Sequence, residues 1–142
     1  MLNIFAKADE MFMPVYALDG DAGMDLRAVE FGQILPGDRL LVRTGVQLDL
    51  PKNVVALVHP RSGLALKHGI TVLNSPGTID SNYRGEIGVI LHNASKTNFV
   101  VNVGDRIAQL VFQQVLNVNL VPVDELSDSV RGIGGFGSTG VN

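Results

Sequence analysis

The residues with the most chemical capacity stand at the end of the chain, in Arg131-Gly-Ile-Gly-Gly-Phe-Gly-Ser-Thr-Gly140. Glycines accept positive φ without steric cost and let backbone N–H groups come close to a ligand. Ser138 and Thr139 add hydroxyl donors, and Arg131 adds a planar fork suited to phosphate. Phe136 is the one large aromatic of the segment and suits stacking on a base. Gly132 and Gly137 have the spacing of a P-loop, but Ser138 stands where that motif needs Lys. Only Val141 and Asn142 remain, so no helix can follow and a P-loop is excluded. What remains is a phosphate-handling strap or a terminus without function.

Four other segments carry chemistry, each with a plainer alternative. In Pro60-Arg61-Ser62-Gly63, Ser62 is expected to cap a helix over 63–68 that Gly69 stops. The helix start beside Arg61 would be an anion site; the alternative is an ordinary capped helix with a surface Arg. Ala22 to Ala28 places Asp25 in an apolar, strand-like run, where a carboxylate needs partners. The alternative is a turn Asp at a strand edge. Gly77 to Gly85 is turn-rich between two apolar runs and reads as a β-hairpin. Asp80 on a rigid hairpin could hold and deprotonate a water; the alternative is an Asx-turn with Tyr83 as a half-buried prop. Gly104 to Phe112 reads as a turn and then a strand. Gln109 is polar within it, and the alternative is the solvent face of an edge strand.

The elements that must hold these residues are short. Sixteen glycines and six prolines interrupt β-branched runs at 39–46, 54–59, 87–92, 98–103 and 107–115, a pattern that predicts an all-β sandwich or barrel. Pro36-Gly37-Asp38 and Val103-Gly104-Asp105 read as turns between strands. From Asp128 the chain turns polar and glycine-rich and cannot bury enough to order itself. Residues 1–127 are expected to form the core and 128–142 a flexible arm.

Composition narrows the function. A net charge of −3 leaves no basic stripe of the kind nucleic-acid binders carry. Hydrophobic residues make up 46% and charged ones only 18%, which points to apolar surface buried between subunits. The absence of cysteine excludes disulfides, thiolate metal sites and a Cys nucleophile. The three histidines lack metal-ligand spacing, Ser62 has no G-x-S-x-G context, and the carboxylates form no EF-hand pattern. The first ten residues do not read as a secretory signal, and no stretch is apolar for long enough to span a bilayer. A cytoplasmic location, or a nuclear one in a eukaryotic or viral setting, is the expectation.

Taken together and in this order, the segments resemble the five motifs of the trimeric dUTPase family: 22–28, 60–69, 77–93, 104–112 and 131–140. The resemblance implies a β-clip, or distorted jelly-roll barrel, with one short helix and a flexible C-terminal arm. It implies hydrolysis of dUTP to dUMP and pyrophosphate, which keeps uracil out of DNA and supplies dUMP for dTMP synthesis. Magnesium is the implied cofactor, and a homotrimer with shared sites the implied assembly, with neither nucleic acid nor membrane as partner. Asp80 matches the aspartate that orients the attacking water. Tyr83 matches the tyrosine that packs under the sugar and leaves no room for a 2′-hydroxyl. Asn74, Gly77, Thr78 and Ile79 match the uracil and deoxyribose pocket, and Phe136 the residue that stacks on the base. Arg61, Ser62, Gly63, Gln109, Arg131, Gly137, Ser138 and Thr139 match phosphate contacts. Asp25 matches an aspartate that meets the metal indirectly, through water. Many members carry Asp where this chain has Asn82.

Two rival readings remain. A dCTP deaminase shares the fold but places a catalytic Glu where this chain has Ile90, and it lacks a Gly-Phe-Gly-Ser-Thr-Gly tail. A regulatory protein could keep the fold without turnover, but Asp25, Arg61, Asp80, Tyr83, Arg131 and Phe136 are all present.

Overall fold

Frequent glycines and prolines cap the length of every strand, so the core is assembled from several small sheets instead of one wide one. The computed structural model describes residues 2–135. In chain order the elements are β1 (Phe5–Lys7), a 3-10 turn (Glu10–Phe12), β2 (Gly23–Arg27), β3 (Gly32–Ile34), β4 (Arg39–Arg43), β5 (Gln47–Asp49), β6 (Val54–His59), α1 (Ser62–His68), β7 (Ile70–Val72), β8 (Gly77–Ile79), β9 (Gly88–Asn93), β10 (Phe99–Val101) and β11 (Arg106–Gln114). A four-stranded sheet runs β2-β11-β6-β8 and a three-stranded one β4-β9-β7, with β1-β5 and β3-β10 as separate pairs. Every pairing is antiparallel.

The core lies between the larger sheets. Leu26, Ala56, Val58, Ala108 and Leu110 from the first meet Val42, Ile70, Val72, Val89 and Leu91 from the second. Burial of each large aliphatic side chain contributes about 1.5–3 kcal/mol. Asn93, the one buried amide side chain among the described residues, is fully satisfied. Its Nδ2 donates to the carbonyls of Ile34 at 2.9 Å and Thr97 at 2.8 Å, and its Oδ1 accepts from Ser95 N–H at 2.9 Å.

The predicted strands at 54–59, 87–92, 98–103 and 107–115 form within a residue or two of those bounds. The run 39–46 is broken instead at Thr44-Gly45, where Gly45 takes φ +71°. The Thr44 hydroxyl donates to the Ile87 carbonyl at 2.6 Å, tying the break into the core. Both predicted turns are present, with Gly37 at φ +78° and Gly104 at φ +89°.

Two expectations are corrected. Ser62 is the first residue of α1, not its cap: Arg61 holds the N-cap place with extended φ/ψ and makes no side-chain capping bond. Gly69 does end the helix, at φ +65°. The stretch around Asp80 is not a β-hairpin either. β8 pairs with β6 in one sheet, whereas β9 pairs with β4 and β7 in the other, so residues 80–87 form a corner that carries the chain between sheets.

Candidate active site

The first group of site residues is lined up by strand register. Asp25 in β2 stands opposite Gln109 in β11, and Gln109 opposite His59 in β6. Pro60 and Arg61 follow directly from β6, so the second segment arrives beside that row. Arg61 Nε donates to Asp25 Oδ1 at 2.9 Å, and Arg106 Nη1 donates to Asp25 Oδ2 at 3.3 Å. Arg61 Nη1 also donates to the Arg106 carbonyl at 3.2 Å. These bonds hold the Arg61 guanidinium at two points and leave it further N–H donors for a ligand. Gln109 Nε2 donates to the Pro60 carbonyl at 3.0 Å. Gln109 fits there because Gly23 faces it: a Cβ on Gly23 would lie 2.3 Å from Gln109 Oε1. The alternative for Gln109, the solvent face of an edge strand, fails, because β11 is an inner strand. Asp25, Arg61, Ser62, Gly63, Arg106 and Gln109 line one open cleft of about 360 Å³.

Arg106 was not among the expected site residues. Strand alternation would put it on the face opposite Gln109. A bulge between Arg106 and Ala108 breaks the register, buries both Ile107 and Ala108, and returns Arg106 to the side of Gln109. Sequence alternation has no signal for that extra residue.

The second group sits on β8 and the corner after it. Gly77, Thr78 and Ile79 pair with Val58, Leu57 and Ala56. Gly77 packs closely: an added Cβ would lie 3.3 Å from Val58 and 3.5 Å from Asn74 Nδ2, which places Asn74 beside the strand start. Asp80 is exposed immediately past β8, and its carbonyl accepts from Tyr83 N–H at 3.1 Å, closing a turn. The Tyr83 hydroxyl donates to the Glu86 carbonyl at 2.9 Å. Thr78, Asp80, Tyr83, Glu86, Ile87 and Gly88 line a small cleft of about 190 Å³. Asp80 also borders a larger cleft of about 660 Å³, together with Lys52, Val55, Ser81, Asn82 and Asn117.

Glu86 was also missed. Its Oε2 accepts from Arg43 Nη2 at 3.0 Å and Nε at 3.2 Å, and its Oε1 accepts from Gly45 N–H at 2.8 Å. The hydrogen bond from Arg43 holds the Glu86 carboxyl below the usual carboxylate range, and the same bond raises Arg43. Arg43 lies outside the five motif segments, and Glu86 lies within 77–93 but has no residue type or spacing there that singles it out.

The two groups stay apart within one chain. Neither cleft bordered by Asp80 includes Arg61, Ser62, Gly63 or Gln109. Arg131 is exposed in a turn, where its Nε donates to the Gly134 carbonyl at 2.9 Å, and it lines none of these clefts. Phe136, Gly137, Ser138 and Thr139 lie outside the described residues. Among the described residues no cluster of three or more His, Cys, Asp or Glu side chains could hold a metal directly.

A family model for dUTPase matches residues 9–140. The chain belongs to the dUTPase family. A deoxyuridine 5′-triphosphate nucleotidohydrolase of Crocosphaera subtropica is 52% identical over 140 residues, 99% of either chain. One from Alkaliphilus metalliredigens is 57% identical over 129 residues, 91% of this chain and 90% of that one. Among solved structures, a mutant of the Staphylococcus bacteriophage 80alpha dUTPase with dUpNHpp superposes with a TM-score of 0.90 at 26% identity, covering 99% of this chain and 100% of that one. The same phage dUTPase with dUPNHPP gives a TM-score of 0.85 at 27% identity over 99% of this chain and 100% of that one. The fold is therefore the all-β, jelly-roll type of the dUTPases, with one short α-helix among the described residues. Among the described residues, no helix of this dUTPase chain is long and apolar enough to cross a membrane.

Proposed function

We propose that this chain hydrolyses dUTP to dUMP and pyrophosphate in a homotrimer whose active sites draw on more than one subunit. The observation that carries the reading is the division of the site residues. Asp80 and Tyr83 border one face and Arg61, Ser62, Gly63 and Gln109 another, each too sparse to hold and cleave a nucleoside triphosphate alone. Juxtaposing the first face of one subunit with the second face of its neighbour completes a site. Exposed Leu116, Val118, Leu120, Val121 and Leu126, beyond the last strand, supply apolar surface for such an assembly.

In this reading uracil and deoxyribose occupy the cleft at Asn74, Gly77, Thr78, Ile79 and Tyr83, with Phe136 stacked on the base. Main-chain groups at the free edge of β8 read the uracil. Arg61, Ser62, Gly63 and Gln109 take the phosphates, joined by Arg131, Gly137, Ser138 and Thr139 from the arm. The core spans 1–127, and 128–142 form the arm that closes over the substrate. Asp80 accepts a proton from water as the water oxygen bonds the α-phosphorus. The bond from that phosphorus to the bridging oxygen breaks, and pyrophosphate leaves in line. Little covalent chemistry is asked of the protein; orientation and charge neutralisation supply most of the rate.

The donor set fits magnesium held by way of water and substrate. Each Asp25 oxygen has one guanidinium partner and lone pairs to spare, which suits a metal-bound water and not a direct ligand cage. When bound with the triphosphate, magnesium supplies positive charge to the phosphate oxygens. The cellular role is to keep uracil out of DNA and to supply dUMP for dTMP synthesis, in the cytoplasm.

A nucleotide panel tests the reading. With pyrophosphate as readout, dUTP is turned over in a magnesium-dependent manner, and dTTP, UTP and dCTP are poor substrates. Equal turnover of UTP would remove the role given to Tyr83, and ammonia release from dCTP would mark a deaminase.

A further inference from the structure

We propose that Glu86 is a positioning residue that sets the preference for deoxyribose by holding Tyr83 in place. The inference rests on the reading of Tyr83 as the filter against a 2′-hydroxyl. Tyr83 lies on an exposed corner between two sheets and is itself 45% exposed, so packing alone does not fix it. Among the described residues, its one side-chain hydrogen bond is the 2.9 Å donation to the Glu86 carbonyl. The ring also lies directly over Gly85, where an added Cβ would be 2.3 Å from the hydroxyl oxygen. The turn from Asp80 holds Tyr83's main chain, and the far end of the ring is held against the backbone at 85–86.

That backbone is anchored by the Glu86 carboxylate. Both of its oxygens are engaged with the break between β4 and β5: Arg43 on one, Gly45 N–H on the other. Thr44 and Val46 join the same seam through the Ile87 carbonyl at 2.6 Å and the Ile87 N–H at 2.8 Å. The chain of contacts thus runs from the core, through Glu86, to the Tyr83 hydroxyl. A second brace acts on the far side of the corner, where Arg84 pairs with Asp49 and donates to the Ser81 carbonyl at 2.7 Å. Arg84 Nη1 also donates to the Tyr83 carbonyl at 3.1 Å and so holds the main chain of Tyr83, but no bond from it reaches the ring. The Glu86 carbonyl, to which the ring is hydrogen-bonded, is held from two sides: by the Glu86 carboxylate and, through the planar peptide it shares with the Ile87 N–H, by the Val46 carbonyl at 2.8 Å.

Discrimination depends on ring position to within a fraction of an ångström, because the filter works by leaving no room for one oxygen. Releasing the anchor lets the 85–86 backbone relax and opens that room. Loss of a hydrogen-bonded charge of this kind is worth a change of about tenfold.

The test is the ratio of kcat/KM for dUTP over UTP in the full-length enzyme, measured for wild type, Glu86→Ala, Glu86→Gln, Arg43→Met, Tyr83→Phe and Tyr83→Ala. The ratio is independent of the fraction of active protein, so a merely structural loss leaves it unmoved. We expect Glu86→Ala to lower it about tenfold, Glu86→Gln and Arg43→Met to lower it less, and Tyr83→Phe to match Glu86→Ala. The double variant Glu86→Ala/Tyr83→Phe should fall no further than either single, since both break one path. Arg43 is 60% exposed, so its variant folds even if Glu86→Ala does not. A wild-type ratio in Glu86→Ala and Arg43→Met overturns the proposal. A wild-type ratio in Tyr83→Ala overturns the filter reading itself, and so separates the two failures.

Discussion

Removing the charge of Asp25 isolates how Arg61 is aimed. Asp25→Asn keeps an acceptor for Arg61 Nε, now at 2.9 Å from a carboxylate oxygen, but makes the bond neutral. Charge-assisted bonds are roughly twice as strong as neutral ones, so about 1 kcal/mol of hold on Arg61 is lost. The Arg106 contact is longer, at 3.3 Å, and that side chain is 47% exposed, so its loss is worth only about 0.5 kcal/mol. One further effect opposes these. Asp25 repels the triphosphate, and removing its charge in a screened, open cleft returns about 0.5 kcal/mol. The hold on Arg61 wins. Asp25→Asn should lose about fivefold in kcat/KM, a net of about 1 kcal/mol, and should need more magnesium for half-maximal rate. Asp25→Ala deletes both acceptors and should lose about thirtyfold, because the Arg61 bond then goes entirely. Steady-state rates with pyrophosphate detection, across a magnesium titration, measure both variants. Equal or higher kcat/KM in Asp25→Asn, with an unshifted magnesium curve, would falsify the claim that Asp25 orients Arg61 and meets the metal's water.

Asp80→Asn should keep dUTP affinity, read by calorimetry, and lose about 10²–10⁴-fold in kcat; a near-normal kcat removes Asp80 from the role of base. Gly23→Ala should fold but displace the Gln109 amide, since the new Cβ would lie 2.3 Å from Oε1. Its KM for dUTP should rise at least several-fold, and an unchanged KM would show that Gln109 does not meet the phosphates. The Glu86 carboxyl, held low by the hydrogen bond from Arg43, makes acid stability a further readout. A depressed folded value stabilises fully above the ordinary Glu range and stops contributing as pH falls through that lowered value. The gap in Tm between wild type and Glu86→Gln should thus be constant near neutrality and shrink below the ordinary Glu range; a gap of constant size down to the acid limit contradicts the ion pair.

The parts of this molecule that could be read from sequence are those that depend on neighbours in the chain. β6 is legible because Val54 to His59 is a β-branched run, and α1 because Gly69 must end it at positive φ. The corner at 80–87 is a different case. Turn residues between two apolar runs look the same whether the second run returns beside the first or crosses to another sheet. Only the pairing of β9 with β4 and β7 decides, and that information lies in residues tens of positions away. Arg106 was hidden by a bulge, and Glu86 by the distance in sequence to Arg43 and Gly45. The reactive types were visible, and so was Asp25, while Arg106 and Glu86, which also aim them, were not. Aiming is done across the fold, by contacts that leave no local pattern.

The separation of Asp80 from Arg61 on one chain makes a demand that can be tested without any structure of the assembly. If each site takes Asp80 from one subunit and Arg61 from the next, then Asp80→Asn and Arg61→Ala disable different subunits of the same site. Either homotrimer is inactive, because every site lacks one of the two. Mixed trimers are not. A site is whole when an Arg61→Ala chain donates Asp80 and an Asp80→Asn chain donates Arg61. Random assembly from equal amounts makes about one quarter of sites of that kind. Unfolding and refolding the two variants together should therefore restore up to about a quarter of wild-type activity. Refolding each alone and mixing afterwards should restore none until subunits exchange. Restoration cannot occur if both residues serve a site within one chain, since every chain then carries a defect. Absence of recovery in co-refolded protein that is trimeric by light scattering would place Asp80 and Arg61 in the same subunit's site, and the division seen between their clefts would have to be closed by a movement within the chain.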